Sequence, residues 1–314
     1  MIEQTILDST LSGEQAELVR QFCGTPRQAR WAIGVAGAGK TFALKYARQA
    51  WETAGWRVLG TAVSARATGE LSDSIPAETL ARMLTIYEES MRNPLDARTV
   101  LVVDEAGTLS DADMARLIHM ATDAGAVVRF VGDPAQHGSV NAGGLFTAMC
   151  TSPDTVKVMT ARRVQHDTDR AAAELLRGDQ HADPKAALEQ LAEAGHLIVA
   201  DTAKDAYTAV LARWWEHQHT DTPHPMIEDT NTARIGLNLA AQRLRQLAGH
   251  VSTETIIGAP DRQFGVGDQV IARINNREAH HPDNPKQFVV NGTPGVVTAI
   301  DPDADTITVC LLYT

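Results

Sequence analysis

Short apolar runs alternate with longer amphipathic stretches through the first half of the chain. Four runs predict buried strands, because a parallel sheet covered on both faces carries apolar side chains on both sides of each strand. They are residues 31–33, 57–63, 99–103 and 126–131. The stretches that follow predict helices at 41–53, 64–71 (after a polar turn), 79–84 and 111–124. Strands that alternate with helices over short connections predict an α/β domain with a parallel sheet.

The second half of the chain has a less regular pattern. Helices are predicted at 167–178, 183–194, 205–219 and 232–247, and short strands at 156–159, 196–200 and 225–227. From residue 264 onward, glycine turns separate short strands, with an Asn-Gly turn signal at Asn291-Gly292. These strands are predicted at 265–273, within 289–297 and at 306–309, with a polar loop at 279–287. Such a series predicts a small β-barrel.

A glycine-rich turn lies between the first predicted strand and the first long helix. Residues 34–41, GVAGAGKT, match the phosphate-loop pattern G-x-x-x-x-G-K-[ST] at every fixed position. The glycines allow backbone N–H groups to surround phosphate oxygens, and the helix N-terminus adds partial positive charge. Lys40 is then expected at the β- and γ-phosphates, and Thr41 at a magnesium ion. The sequence therefore predicts a nucleoside triphosphate site.

Polar residues follow two of the predicted strands. Asp104 and Glu105 come directly after strand 99–103, and Gln136 follows strand 126–131. In a doubly wound sheet, ligand sites form at the carboxyl ends of the strands. One carboxylate is expected to hold the magnesium, the other to position or deprotonate the attacking water, and Gln136 to lie beside the γ-phosphate. An isolated Asp-Glu pair is more often a solvated loop, but the phosphate loop upstream favours the catalytic interpretation.

Composition limits the class of protein without identifying it. The 314 residues suffice for one large domain or two ordinary ones, and the 44% hydrophobic content is enough to form a core. No apolar stretch approaches the roughly 20 residues of a membrane span, and the N-terminus does not resemble a secretory signal. A cytoplasmic protein with no membrane partner is therefore expected.

Charge and cysteine content add two further limits. The net charge of −11 argues against a broad basic surface for nucleic acid, although it leaves room for a narrow basic channel. Cys23, Cys150 and Cys310 lack metal-ligand spacing, which favours reduced thiols.

Gln15 has two interpretations. Ser12 is a suitable helix N-cap, and Gln15 stands three residues later as its capping-box partner. The first interpretation is a capped amphipathic helix and nothing more. The second follows from the position of Gln15 shortly before a phosphate loop, where its amide donor and acceptor can recognise the edge of adenine.

The order and spacing of these motifs resemble superfamily 1 DNA helicases of the RecD-like branch, and above all the helicase region of relaxase-helicases that process conjugative plasmid DNA. The resemblance covers residues 8–314. The segments that carry it are 11–15 (adenine recognition), 34–41 (motif I), 63–71 (contact with single-stranded DNA), 104–107 (motif II), 132–136 (motif III), 142–146 (the plasmid relaxase branch), 162–163 with 176–179 (motif IV), and 267–270 with 290–292 (an inserted barrel).

This resemblance implies a fold and an activity. The fold is an α/β, P-loop RecA-like doubly wound parallel sheet at residues 1–155, a partial second RecA-like domain at 156–262 and a small SH3-like β-barrel at 263–314. The activity is that of an ATP-dependent helicase or translocase on single-stranded DNA, with ATP and Mg²⁺ as cofactors, in conjugative DNA transfer or DNA repair. Other conjugation or replication proteins are the further partners implied.

The resemblance also assigns roles to individual residues. Catalytic roles fall to Lys40, Glu105, Gln136 and Arg163, the last of which reaches across to the γ-phosphate. Thr41 and Asp104 hold Mg²⁺. The nucleotide-contacting set is Gln15, Gly34, Gly37, Ala38, Gly39, Lys40, Thr41, Phe42 and Asp104. For Arg163 and its neighbour Arg162 the alternative is a solvated basic pair, since exposed arginines are the default.

The chain departs from the family pattern, and two of the departures bear on the activity. His137-Gly138 replaces the usual Leu-Pro after the motif III glutamine. The chain also stops before motifs V and VI, which carry a Gln-Gly segment for DNA and a second arginine, so we expect it to be truncated. Two alternatives stay open. One is an ATP-binding remnant without unwinding activity, and the other is a P-loop ATPase acting on protein or in signalling.

Overall fold

The computed structural model describes residues 2–89, 93–136, 138, 142–162, 166–177, 182–218, 225–259, 262–281 and 284–312, and only the backbone of 259, 277–281 and 284–288. Contacts divide the chain into two units, Met1–Ala194 and Gly195–Thr314. None of the helices in the described part of the chain combines the length and apolar character that a membrane span requires.

The first unit is built on one six-stranded sheet. Its strands are β1 (Ala29–Gly34), β2 (Arg57–Ala62), β3 (Ala77–Thr79), β4 (Thr99–Val103), β5 (Val127–Gly132) and β6 (Val156–Val158). Its helices are α1 (Ile2–Leu7), α2 (Gly13–Cys23), α3 (Lys40–Thr53), α4 (Ala65–Ser72), α5 (Leu80–Glu89), α6 (Asp111–Ala124), α7 (Leu145–Cys150), α8 (Asp167–Leu176) and α9 (Pro184–Glu193), with a 3₁₀ turn at Ala106–Thr108. The strands pair in parallel in the order β3-β2-β4-β5-β1-β6.

Apolar layers cover both faces of this sheet. All five residues of β4 are buried, as expected of a central strand in a parallel sheet. Because successive side chains of a strand point to opposite faces, Val102 joins the cluster that contains Leu44 of α3, whereas Val103 joins the cluster that contains Leu117 of α6. The predicted α/β class and doubly wound parallel sheet are confirmed.

The first unit extends beyond the boundary expected at residue 155. The strand predicted at 156–159 is present as β6, and it pairs in parallel with β1, in register from Ala32 opposite Val156 to Gly34 opposite Val158. β6 is therefore an edge strand of the first sheet, and the division by contacts falls after Ala194. The other edge strand, β3, has no apolar run in its sequence and was not predicted; its backbone pairs with β2.

The second unit contains helices and small antiparallel sheets. Its elements are α10 (Ala203–His217), α11 (Asn231–Leu247), β7 (Thr255–Ala259), β8 (Arg262–Gly265), β9 (Gln269–Ile271), β10 (Asn276–His281), β11 (Asn284–Val289), β12 (Pro294–Asp301) and β13 (Thr306–Leu311). One sheet has the order β13-β12-β9, and β7-β8 and β10-β11 form two further pairs. The strand-rich, antiparallel character predicted for the C-terminal part is present, but the pairings among the described residues do not join these strands into one barrel.

Several expectations for the second unit are wrong. The strands predicted at 196–200 and 225–227 are irregular, because the apolar side chains that suggested them lie in solvent: Val199 is 83% exposed and Ile227 is 90% exposed. The polar loop predicted at 279–287 lies largely in the paired strands β10 and β11. Among the described residues between 195 and 262 no parallel sheet forms, so the partial second RecA-like domain stays a prediction.

The strand predicted at 265–273 is broken into β8 and β9 by a turn. Gly267 has φ 96°, and a Cβ at this position would come 2.3 Å from the carbonyl oxygen of His250. Only glycine fits that conformation and that distance, so the chain must leave the strand there.

Candidate nucleotide-binding site

The phosphate loop joins β1 to α3 through a turn that requires glycine. Gly37 (φ 75°) and Gly39 (φ 74°) adopt the left-handed conformation, which is strained for residues with a Cβ. Gly39 is the N-cap of α3, and a Cβ there would come 2.5 Å from Nε2 of Gln15. The loop therefore meets the N-terminus of α3, where backbone N–H groups and the helix dipole favour an anion.

Lys40 begins α3 and folds back over the loop. Its Nζ donates a hydrogen bond to the carbonyl oxygen of Gly34, the last residue of β1, at 2.8 Å. The amine is thus held at the carboxyl end of β1, next to the N–H groups of the loop. A cation at this position can pair with phosphate oxygens as a point charge.

Asp104 and Glu105 follow β4 at the same edge of the sheet. Asp104 is buried, and its Oδ1 accepts the Glu105 backbone N–H at 2.8 Å. Burial raises the pKa of the Asp104 carboxyl, against the opposing effect of the Lys40 charge. The pKa of Glu105 is also raised, chiefly by burial and further by the charges of Asp104 and Glu70. Glu105 itself has φ 52°, a left-handed conformation that is uncommon for a residue with a side chain.

These residues meet in one cavity of about 190 Å³. Its lining combines a cation, carboxylates, an amide side chain and the loop backbone: Val35, Ala36, Gly37, Ala38, Gly39, Lys40, Thr41, Glu70, Asp104, Glu105, Gly132, Asp133 and Gln136. The carboxyl ends of β1, β4 and β5 supply all of the predicted carboxylates and Gln136, as expected for a doubly wound sheet. The arrangement can bind a polyphosphate and activate a water molecule beside it.

The donors present fit a magnesium ion. Among the described residues, no group of three or more His, Cys, Asp or Glu side chains could hold a metal ion by itself. Mg²⁺ instead uses one or two protein oxygens together with phosphate oxygens and water. The hydroxyl of Thr41 and the carboxylate of Asp104 line the same cavity and offer that type of donor set.

The side-chain oxygen and nitrogen of Gln15 each form a hydrogen bond with the backbone. Its Oε1 accepts the Ser12 backbone N–H at 3.0 Å, which completes the predicted capping box. Its Nε2 donates to the carbonyl oxygen of Ala38 at 2.9 Å, and the residue is 2% exposed. The capping interpretation is confirmed, and the contact with the phosphate loop is an addition to it. Recognition of adenine stays a prediction, and it requires Gln15 to exchange one of these bonds.

Gln136 lies at the end of a short turn after β5. Its backbone N–H donates to the Asp133 carbonyl oxygen at 3.2 Å, and the Ala135 N–H donates to Asp133 Oδ1 at 3.1 Å. The same Oδ1 accepts a hydrogen bond from Nη2 of Arg177 at 2.8 Å. The turn that presents Gln136 to the cavity is therefore organised by the buried carboxylate of Asp133.

Two further site candidates, Phe42 and Gly34, do not line the cavity. Phe42 is 41% exposed and packs edge-on against Tyr46 of the same helix, with ring centroids 5.2 Å apart. Gly34 contacts Lys40 but does not line the cavity. Arg163 lies outside the described residues. Arg162 is exposed, and its backbone N–H donates to the Gly37 carbonyl oxygen at 2.8 Å, which brings this segment against the phosphate loop.

Three residues of the site were not nominated from sequence. Glu70 and Asp133 line the cavity, and Arg177 is paired with Asp133. Asp133 could have been found, because it follows a predicted strand within the same motif as Gln136. Glu70 and Arg177 lie within the segments 63–71 and 176–179 that carry the resemblance, but nothing in these segments indicates that the two side chains reach the site, because that depends on how α4 and α8 pack.

A family comparison places most of the first unit in a known group. The model of a family described as AAA domain matches residues 10–202. The curated relatives include a conjugal transfer protein TraA of Agrobacterium fabrum, 31% identical over 303 residues. That match covers 94% of this chain and 27% of the relative. A probable conjugal transfer protein TraA of Sinorhizobium fredii is 32% identical over 270 residues, with 84% of this chain and 24% of the relative covered.

A solved structure shows the same fold. The Pif1 helicase from Candida albicans matches with a TM-score of 0.50 and 15% identity, covering 94% of this chain and 70% of that one. At this identity the likeness concerns the fold alone. The chain spans about a quarter of the length of the two curated relatives. The predicted resemblance to the helicase region of conjugative transfer proteins is confirmed by these similarities.

Proposed function

The chain belongs to the AAA domain family, and from this premise we propose that it is an ATP-hydrolysing motor that translocates on single-stranded DNA during conjugative transfer. The observation that carries the proposal is the shared cavity, which brings Lys40, Thr41, Asp104, Glu105 and Gln136 together from three strand ends. Two curated relatives are named conjugal transfer proteins, and this supports the choice of process.

Each residue of the cavity has a separate role in phosphoryl transfer. The loop N–H groups and Lys40 hold the β- and γ-phosphates, while Thr41 and Asp104 hold the magnesium ion. Mg²⁺, when bound there, would supply positive charge that offsets the negative charge of the phosphates. Glu105 accepts the proton of the attacking water, and its raised pKa makes it a stronger base than an ordinary glutamate.

Gln136 and Arg163 have the two remaining catalytic roles. Gln136 orients the attacking water and responds to the γ-phosphate from its position in the cavity. Arg163, on the evidence of the motif resemblance, neutralises charge that develops in the transition state. An arginine in this role contributes about 10³–10⁵ in rate, so Arg163→Ala is expected to lower turnover far more than a surface substitution.

A DNA-contacting segment adjoins the same cavity. Residues 63–71, which the resemblance assigns to single-stranded DNA, follow the carboxyl end of β2. The Arg66 side chain is 85% exposed and pairs with Glu70, their Nε and Oε1 atoms 3.0 Å apart. Glu70 in turn lines the nucleotide cavity. One helix, α4, therefore presents a cation to solvent and a carboxylate to the nucleotide site, which supports coupling between DNA binding and hydrolysis.

The proposal is tested by phosphate release from ATP and Mg²⁺, with and without a single-stranded oligonucleotide. The wild-type chain is expected to turn over ATP and to be stimulated by DNA. Lys40→Ala should abolish turnover through loss of phosphate binding, whereas Glu105→Gln should abolish turnover and retain nucleotide binding. Nucleotide binding by the wild type without any turnover would instead support a non-unwinding ATP-binding protein.

A further inference from the structure

A largely buried ion pair joins the C-terminus of α8 to the turn that carries Gln136. Nη2 of Arg177 is 2.8 Å from Oδ1 of Asp133, and the two side chains are 15% and 5% exposed. Arg177 is the C-cap residue of α8, 44 residues from its partner in sequence. Neither residue has a catalytic role in the proposed function.

Asp133 is the residue through which Arg177 reaches the cavity. Its Oδ1 accepts both the Arg177 guanidinium and the Ala135 N–H, and its carbonyl oxygen accepts the Gln136 N–H. A carboxylate that orders a short turn in this way fixes the backbone two residues onward. The Arg177 guanidinium holds the Asp133 carboxylate in place, because a charge-assisted hydrogen bond is directional and strong.

The other two nitrogens of the Arg177 guanidinium have different surroundings. Nη1 lies 3.7 Å from Sδ of Met159, the residue after β6. Nε is buried and has no hydrogen-bond partner within the described part of the chain. Among the described residues, Asp133 is the carboxylate that pairs with this guanidinium, so the Arg177 charge acts mainly on the turn.

We propose that Arg177 is a positioning residue for ATP hydrolysis, and that it acts through Asp133 to hold Gln136 in its place in the nucleotide cavity. The inference rests on the proposed function for its catalytic consequence, and on the structure alone for its effect on the turn. It follows that loss of Arg177 frees the Asp133 side chain, loosens residues 133–136 and misplaces Gln136, while the phosphate loop that binds the nucleotide is unchanged.

The first measurement needs no nucleotide. Hydrogen exchange at the Ala135 and Gln136 amides is compared in the wild-type chain, Arg177→Ala and Arg116→Ala. Arg116 is a matched control, an arginine that also pairs with carboxylates but lies on the surface of α6. Arg177→Ala is expected to speed exchange at these two amides by about tenfold or more, with Arg116→Ala unchanged. Exchange in Arg177→Ala equal to that of the wild type overturns the proposal.

The second measurement separates positioning from general destabilisation. Arg177→Ala is expected to lower kcat about 10- to 100-fold, with KM for ATP within about threefold of the wild type. Arg177→Lys should recover part of the loss, because it restores the charge. In a Gln136→Ala background, Arg177→Ala should cost nothing further, since both changes remove the same interaction. An equal loss in both backgrounds shows that Arg177 acts elsewhere, and overturns the proposal.

Two further outcomes are distinguishable. If the wild-type chain does not hydrolyse ATP, the proposed function fails, while the exchange measurement still decides the role of Arg177 in the turn. If Arg177→Ala does not fold, Arg177→Lys and Asp133→Asn replace it in the same comparisons. Each is expected to speed exchange at the Ala135 amide, and wild-type exchange in both variants rejects the proposal.

Discussion

The Nζ of Lys40 lies 2.8 Å from the carbonyl oxygen of Gly34, and the stem of the same side chain passes directly over the Gly34 Cα. A Cβ at position 34 would come 2.3 Å from Cδ and 2.5 Å from Cγ of Lys40. The first and seventh residues of the phosphate-loop motif are therefore in contact. The glycine at the start of the motif makes room for the lysine that follows it.

Gly34→Ala is accordingly expected to displace the Lys40 side chain from the cavity. The affinity for ATP should fall about tenfold or more, which corresponds to about 1.4 kcal/mol, as measured by equilibrium binding of a fluorescent nucleotide. Gly236→Ala is the matched control, because it lies within α11 and a Cβ there has nothing within 4 Å. Equal affinities for Gly34→Ala and wild type would refute the steric argument.

The pH dependence of turnover is expected to report Glu105. A general base must be deprotonated, so turnover falls as the pH drops through the pKa of Glu105, which is raised by burial, Asp104 and Glu70. Glu70→Gln removes one of the negative charges that raise this pKa. The acidic limb of the kcat/KM profile, which reports the pKa of the free enzyme, should therefore move to lower pH in Glu70→Gln.

Glu52→Gln serves as the control for this profile. Glu52 is an exposed carboxylate paired with Arg48 on α3, and it does not line the nucleotide cavity. Its acidic limb should overlay that of the wild type. A Glu70→Gln profile that moves to higher pH, or does not move, is incompatible with the proposed electrostatic effect on Glu105.

Asp104 is expected to lower the stability of the protein at neutral pH when neither nucleotide nor metal is bound. Its folded-state pKa is raised above the ordinary value by burial, so the folded state binds this proton more tightly than the unfolded state. The carboxylate therefore costs stability above the folded-state pKa, and the cost disappears as the pH falls toward the unfolded-state pKa.

Asp104→Asn tests this linkage, because the amide keeps an oxygen that can accept the Glu105 N–H. Thermal unfolding should give a higher Tm for the variant at neutral pH, and the difference from the wild type should narrow as the pH is lowered. A lower Tm for the variant across the whole range would show that the ionised carboxylate stabilises the fold.

Arg129 of β5 is a buried cation that serves the fold. It is 1% exposed, and burial lowers its pKa to about 10, so it is still protonated at neutral pH. Its guanidinium donates to the carbonyl oxygens of Phe22, Thr25, Arg27 and Val128. These hydrogen bonds therefore stabilise the segment that joins α2 to β1, the strand that leads into the phosphate loop.

Arg129→Met should lower the free energy of unfolding by about 2–4 kcal/mol, since several buried carbonyl groups lose their donor. Denaturant unfolding measures the change. Arg116→Met is the control, because Arg116 pairs with carboxylates at the surface, and exposed pairs contribute little. Equal stability of the two variants would contradict a structural role for the Arg129 hydrogen bonds.

The sequence predicts the first unit well for a physical reason. The four inner strands, β1, β2, β4 and β5, are largely buried, so each appears as an apolar run, and the polar residues after β4 and β5 fall at the carboxyl ends of the sheet. The sequence therefore groups Lys40, Thr41, Asp104, Glu105 and Gln136 into one site, and the structure brings them into one cavity.

Features that depend on distant packing or on backbone pairing alone could not be predicted. The Arg177–Asp133 pair joins two segments that share no pattern. β3 and the β10-β11 pair are held by backbone hydrogen bonds, and their sequences lack the apolar alternation that indicates a strand. Conversely, residues 196–200 carry an apolar run but adopt no strand, because Ile198 and Val199 are exposed without a neighbouring strand in the described part of the chain.

The central claim, translocation on single-stranded DNA powered by ATP, is tested most directly by the dependence of ATP turnover on DNA length. Steady-state phosphate release is measured with saturating single-stranded oligonucleotides of increasing length, with Lys40→Ala as the inactive control. A translocating motor spends more of its time moving on longer strands, so kcat is expected to rise with length and reach a plateau. A kcat that is the same for every length, or the same with and without DNA, would contradict the account.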